Sequence, residues 1–234
     1  MLHNKRIIAI IPARGGSTRL KNKNISNLFG KPLIQHTIEK VIKSNIFDRI
    51  ILSTDDEKIA KIGKKFDIEI FKRSKNLSGK YVTVSRVISK IYDQISSDCE
   101  FFGYFLPTCP IYNVDHIKTG LDFFKKRNCD GVVSVVQYKD PIQLAMSLNK
   151  NILKPVFNNL TENETNSLKF NDYYFDSGAY YFYRTKKYIL HRNFFKGRVY
   201  GCELNNKFWV DINNKDDLEF ANYLIKKNVK NKKT

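Results

Sequence analysis

The chain has 234 residues and an apolar content of 42%, enough for one domain with a substantial core, and its four cysteines lack the paired spacing of a zinc site or disulfide framework. No stretch approaches the ~20 apolar residues of a membrane-spanning helix, so the expectation is a cytoplasmic protein with no membrane partner. A formal charge of +18 raises nucleic-acid binding, but the lysines are scattered along the chain, apart from a terminal cluster that reads as a solvated, frayed end.

Ile7 to Pro12 is an unbroken apolar run rich in β-branched residues, the pattern of a strand buried on both faces. It opens into Ala13-Arg14-Gly15-Gly16-Ser17-Thr18-Arg19-Leu20-Lys21-Asn22-Lys23-Asn24. Gly15 and Gly16 leave the backbone free to turn N–H groups toward an anion. Arg14, Arg19 and Lys23 add positive charge suited to phosphate. Taken alone, the loop reads equally as a solvated basic turn, because a lone glycine-rich loop is a weak signal.

Helical spacing follows from Pro32 to Ser44, with Pro32 suited to the first turn. Asp48 to Asp55 reads as a second buried strand, Asp56 to Phe66 as a helix and Ile68 to Phe71 as a short strand. Arg73 to Lys80 is a loop and Val84 to Ile95 a helix. Phe101 to Leu106 and Gly131 to Val136 are further strands, separated by a helix from Asp115 to Lys126. This alternation predicts a parallel, doubly wound sheet, and the loop after the first strand then lies at the edge where such sheets bind ligands.

The alternation stops near Tyr138. Gln143 to Leu148, Tyr173 to Tyr183 and Val199 to Val210 are strand-like, and Val156 to Phe170 reads as a long loop. The expectation is a mixed sheet edge with an inserted or protruding β element at about residues 138–185, within a single domain spanning the chain. Asn214 to Asn228 closes it as an amphipathic helix. Tyr173, Tyr174, Tyr180, Tyr181 and Tyr183 suggest a sheet or subunit contact. His36 and His116 read as helix surface residues, and Asp55 and Asp56 as a helix N-terminus.

Ile11-Pro12-Ala13-Arg14-Gly15-Gly16-Ser17, Lys23-Asn24, Gly30-Lys31-Pro32-Leu33-Ile34, Ser53-Thr54-Asp55-Asp56 and Val210-Asp211-Ile212 together resemble the acylneuraminate cytidylyltransferase family. The resemblance covers roughly residues 5–225. It implies a Rossmann-like α/β nucleotidyltransferase with a mixed, mostly parallel sheet flanked by helices and a small dimerisation element. The implied activity joins CMP from CTP to a nine-carbon α-keto sugar acid, with magnesium or manganese as cofactor, pyrophosphate as product and a homodimer as the working unit. Leu106-Pro107-Thr108-Cys109-Pro110-Ile111-Tyr112 lacks the glutamine and arginine usual in sialic-acid-activating members. Asp140-Pro141-Ile142-Gln143-Leu144-Ala145 and Asp176-Ser177-Gly178-Ala179-Tyr180-Tyr181 look instead like the pseudaminic acid branch, although Leu144 and Asn166 stand where arginines are common.

The resemblance implies roles residue by residue. Ala13, Arg14, Gly15, Gly16, Ser17, Arg19, Lys23 and Asn24 would hold the nucleotide, with Arg14 and Lys23 neutralising charge on the phosphates during transfer. Arg73 and Thr83 flank the region that recognises cytosine. Gln143, Asp176 and Tyr180 would line the sugar site. Asp211, expected at the end of an apolar strand Phe208-Trp209-Val210, and Asn213, in place of the family's second aspartate, would bind the metal. The alternative for Asp211 is a cap on the last helix, a task for which Asn213 or Asn214 serves as well. Thr18 stands where the family usually has lysine, and Arg19 is the candidate to supply that charge. Sialic or legionaminic acid as acceptor, or a non-catalytic basic nucleotide- or RNA-binding protein, are the alternatives.

Overall fold

A computed structural model describes residues 6–95, 99–157, 170–204 and 209–231. The strands are β1 (Arg6–Pro12), β2 (Asn27–Leu28), β3 (Lys31–Pro32), β4 (Arg49–Thr54), β5 (Glu69–Lys72), β6 (Cys99–Phe105), β7 (Gly131–Gln137), β8 (Met146–Asn149), β9 (Ile152–Pro155), β10 (Tyr174–Arg184) and β11 (Val199–Glu203). The helices are α1 (Leu33–Ser44), α2 (Glu57–Lys64), α3 (Val84–Ile95), α4 (Val114–Lys126), α5 (Thr185–His191) and α6 (Lys215–Asn231).

Seven strands form one sheet in the order β11-β7-β10-β6-β1-β4-β5. β1 pairs parallel with both β4 and β6, β4 with β5, and β7 with β11. Only β10 runs against its neighbours, β6 and β7. The chain winds from β1 through β4 to β5, then crosses to β6 on the other side of β1. That reversal opens a crevice beyond the carboxyl ends of β1 and β6.

Alternation along the strands divides the core into two layers. Ala9 and Ile11 of β1 face Ile34 and Ile38 of α1, Leu52 of β4 and Leu121 and Phe124 of α4. Ile8 and Ile10 face the opposite layer, with Val87, Ile88 and Ile91 of α3 and Tyr188 of α5. β10 follows the same rule: Tyr180 and Phe182 join the first layer, Tyr181 and Tyr183 the second. α4 packs close to β10 because position 120 has no side chain. A Cβ there would lie 2.4 Å from Cε2 of Tyr180.

Three expectations need correcting. Gln143 lies in a single 3₁₀ turn, Ile142–Leu144, and the strand begins only at Met146. The proposed strand to Val210 ends at Glu203, because residues 209–213 pack as irregular extended chain on the amino-terminal half of α6. α5, a single short helix after β10, was not expected; Tyr188 anchors it in the second layer. Residues 158–169, most of the long loop expected at Val156 to Phe170 and including Asn166, lie outside the described residues, as does Phe208. Among the described residues no helix is long and apolar enough to cross a membrane.

Gly120→Ala should lower stability by about 1–3 kcal/mol through overpacking against Tyr180. Urea unfolding of the two proteins measures this, and an unchanged midpoint would contradict the close α4–β10 packing.

Candidate active site

The loop leaving β1 is fixed by its backbone. Ala13 N–H donates to the Ser53 carbonyl at 2.8 Å, carrying the β1–β4 pairing one residue past the strand. Gly15 N–H donates to Asp55 Oδ1 at 2.9 Å. A Cβ on Gly15 would lie 2.7 Å from both Cβ and Oδ2 of Asp56, so only glycine lets the loop lie this close to the end of β4. Farther along, buried Asn24 donates from Nδ2 to the Arg14 carbonyl at 2.9 Å. These contacts change the reading of two groups. Gly15 N–H is held by a carboxylate rather than left for an anion, and Asn24 shapes the loop from behind. Asp56 does cap α2, accepting from the N–H groups of Lys58 and Ile59; Asp55 instead holds the loop.

Four cations converge on the crevice. Arg14 donates to the carbonyls of Gly79 and Lys80 at 3.2 and 3.4 Å, tying the β1 loop to the loop before α3. Arg73 donates from Nε to Ser53 Oγ at 2.9 Å, and burial lowers its pKa to about 10 against the opposing pull of Asp55. It therefore stays charged at neutral pH. Lys23 donates from Nζ to the Ile212 carbonyl at 2.8 Å and to Asn213 Oδ1 at 3.3 Å, and burial lowers its pKa while Asp211 opposes the fall. Arg19 Nη2 reaches the same Oδ1 at 2.7 Å. Among the described residues none of these four forms an ion pair with a carboxylate. Three cations partly withdrawn from water and the exposed Arg19, with carboxylates nearby but none in direct contact, form a field suited to a polyanion.

Residues 209–213 pack behind the facing wall, to which they contribute Asn213. Val210 and Ile212 are buried with Leu28, Leu33, Ala221 and Leu224, so Asp211 and Asn213 between and beyond them turn the other way. The Thr108 carbonyl accepts from Ile212 N–H at 2.8 Å, joining this wall to the loop after β6. Asp211 accepts from Asn213 Nδ2 at 2.7 Å; the Cys109 thiol lies 3.7 Å from its Oδ1 and closer, at 2.8 Å, to the Ser177 carbonyl. Burial, then the nearby Asp211, raises the Cys109 pKa well above its ordinary value, which keeps that group a thiol donor. The cap of α6 is Asn214, whose Oδ1 accepts from Asp217 N–H at 2.9 Å; Asp211 is free of that task.

The crevice has a volume of about 250 Å³ and is lined by Arg14, Ser17, Arg19, Lys23, Asn24, Arg73 and Asn213 among the expected residues. Lys80, Leu106 and Thr108 also line it and were not expected. Lys80 arrives on a loop whose position depends on the Arg14 contact, a distant pairing with no local signature.

Four other expected residues, Thr83, Gln143, Asp176 and Tyr180, lie outside the lining of the crevice. Tyr180 is a core residue and not a wall of the crevice: it is fully buried, and its hydroxyl donates to Cys202 Sγ at 3.3 Å. The Thr83 hydroxyl accepts from Arg86 N–H at 3.3 Å at the start of α3. His36, half-buried, contacts the Leu28 carbonyl through Nε2 at 2.7 Å, and His116 completes a capping box with Asn113. Asp176 is exposed at the same end of the sheet, paired across from Val135 of β7, and accepts from the Tyr181 hydroxyl at 2.7 Å. Gln143 donates to the Asn171 carbonyl at 3.2 Å, while its buried Oε1 has no partner among the described residues.

A divalent cation fits one side of this arrangement. The Asp211 carboxylate is a hard oxygen donor held by Asn213 just outside the crevice lining, and magnesium uses few protein ligands when phosphate oxygens and water complete its shell. Asn213 Oδ1 is engaged by two cations and does not add a second open donor. Among the described residues no group of three or more His, Cys, Asp or Glu side chains is gathered to hold a metal.

Residues 8–196 match the Cytidylyltransferase family profile. The chain belongs to the cytidylyltransferase family. It is 33% identical over 225 residues to a pseudaminic acid cytidylyltransferase from Campylobacter jejuni, covering 94% of this chain and 97% of that protein. It is 31% identical to an N-acylneuraminate cytidylyltransferase from Escherichia coli, covering 92% of this chain and 51% of the other. Its fold is that of a CMP:2-keto-3-deoxy-manno-octonic acid synthetase solved with CTP, with a TM-score of 0.72, 14% identity and coverage of 95% and 99%.

In a cytidylyltransferase the shape of the β1 loop should govern nucleotide affinity. Asp55→Ala frees Gly15 N–H and should weaken CTP binding by about tenfold or more, as for loss of a hydrogen bond to a charged group, with circular dichroism unchanged. Wild-type affinity in calorimetry would show that the anchor is dispensable.

Proposed function

We propose that this chain transfers CMP from CTP to the anomeric hydroxyl of a nine-carbon α-keto sugar acid, with pseudaminic acid as the acceptor and pyrophosphate as the leaving group. The observation that carries this reading is the crevice itself, lined by four cations and by Asn213, whose amide holds the Asp211 carboxylate beside it. The similarity to the Campylobacter jejuni protein supports the choice of acceptor.

The anomeric oxygen would attack the α-phosphorus in line with departing pyrophosphate, a reaction accelerated chiefly by positioning and charge neutralisation. Arg14 and Lys23 would carry the neutralisation, because they are fixed before substrate arrives and need no reorganisation. Gly16, Ser17 and Arg19 would complete the triphosphate cradle, with Ala13 and Asn24 holding the loop in shape, and Arg73 would hold the cytosine side. Asp211 would hold a magnesium ion, which supplies positive charge to the triphosphate when bound. Asp176 and Gln143 would meet the sugar, Gln143 through an Oε1 that is buried with no partner among the described residues.

β8 and β9 support the homodimer expectation. All eight residues of this hairpin are exposed. Met146, Leu148, Leu153 and Pro155 share one face by register, while Ser147, Asn149, Ile152 and Lys154 fall on the other. An isolated two-stranded hairpin is marginal in water. An apolar face at 68% exposure for Leu148 and 59% for Leu153 is suited to a second copy. Leu148→Asp should shift the protein to monomer in sedimentation; an unchanged dimer would exclude the hairpin as its contact, and a wild-type monomer would exclude the dimer.

Pyrophosphate release from CTP and Mg²⁺ across a panel of nonulosonic acids tests the activity. Turnover should be greatest with pseudaminic acid, and Asp211→Ala should abolish it while the fold is retained. Preference for a sialic or legionaminic acid would move the acceptor; no turnover with any of them would overturn the reading.

A further inference from the structure

We propose that Asn213 is a positioning residue for the triphosphate and not a metal ligand: its side-chain amide links Asp211 to Arg19 and Lys23 and holds both cations over the crevice. This rests on the reading of the crevice as a CTP site. The two ends of the amide face opposite charges. Nδ2 donates to Asp211 Oδ2 at 2.7 Å, and Oδ1 accepts from Arg19 at 2.7 Å and from Lys23 at 3.3 Å. Rotating the amide by half a turn would set its NH₂ against two cations and its oxygen against a carboxylate, so the orientation is fixed by its surroundings. The backbone beneath is fixed as well, because Asn213 N–H donates to Asp217 Oδ2 at 2.8 Å at the entry to α6.

An amide nitrogen does not coordinate metals, and the only coordinating atom of this side chain is already shared by a guanidinium and an ammonium group. To reach a metal, Oδ1 would have to give up a charge-assisted bond to Arg19 in exchange for one contact made without charge. What the arrangement does supply is a spacer. It keeps Arg19, an exposed residue on a basic loop, from swinging into solvent, and it stands between both cations and the Asp211 carboxylate. Arg19 has no other hydrogen bond among the described residues. Its place on the crevice wall therefore depends on Asn213.

The consequence is an affinity for nucleotide triphosphate that needs no metal. CTP binding measured by calorimetry in EDTA, for wild type, Arg19→Ala, Asn213→Ala and the double variant, separates the two roles. The wild type should bind CTP without metal, and each single variant should weaken binding by about tenfold, the value of a hydrogen bond to a charged group. The double variant should be weaker than Arg19→Ala by less than the loss seen in Asn213→Ala alone, since the two changes share the Arg19 contact and only the hold on Lys23 is additional. Urea midpoints within error of wild type would exclude a merely structural effect, and a fall in midpoint that tracks the affinity loss would overturn the proposal. So would metal-free affinity unchanged in Asn213→Ala, additive losses in the double variant, or wild-type binding of CTP only when Mg²⁺ is present. Absence of CTP binding with and without Mg²⁺ would instead overturn the CTP-site reading on which the proposal rests.

Discussion

The Asp55 carboxylate, accepting Gly15 N–H at the end of β4, is the contact on which the rest of the crevice depends. The segment after β1 is rich in positive charge and would repel itself if it were free. Asp55 gives its backbone a charged partner, and the missing Cβ of Gly15 lets it lie against Asp56. Asn24 ties the return of the loop to the Arg14 carbonyl. The four cations are thus set by a frame that includes the first two parallel strands, and that frame is as rigid as the sheet.

The opposite wall has a different origin. Residues 209–213 make no sheet, yet Val210 and Ile212 are buried against α6 and the β2–β3 turn region by the small third cluster of the core. This packing fixes the direction of Asp211 and Asn213 as firmly as a strand would. The site therefore draws its cations from the main sheet and its carboxylate from the satellite cluster, and the hydrogen bonds of Lys23 to Ile212 and Asn213 join the two.

Much of this was legible in the sequence. The strand–helix alternation from Ile7 to Val136 placed the basic loop at the ligand-binding edge, because buried parallel strands and amphipathic helices have distinct periods. The end of the alternation near Tyr138 marked where β10 reverses direction. What the pattern could not resolve was which face an aromatic takes when both faces of a strand are buried. Tyr180 and Tyr181 are neighbours in sequence, and only Tyr181 faces the layer where Asp176 accepts its hydroxyl. Nor could spacing assign two adjacent aspartates: one caps a helix as expected, and the other holds a loop forty residues away in the chain. The same limit applies to Asn213, whose partners depend on a tertiary meeting of the first loop with the last helix.

A structure of the protein with CTP and Mg²⁺ tests the central claim most directly. The account predicts the triphosphate between the Arg14–Asn24 loop and residues 211–213, with Gly15 N–H still on Asp55. A nucleotide seated elsewhere on the sheet, or a β1 loop that lets go of Asp55 to take up phosphate, would contradict it.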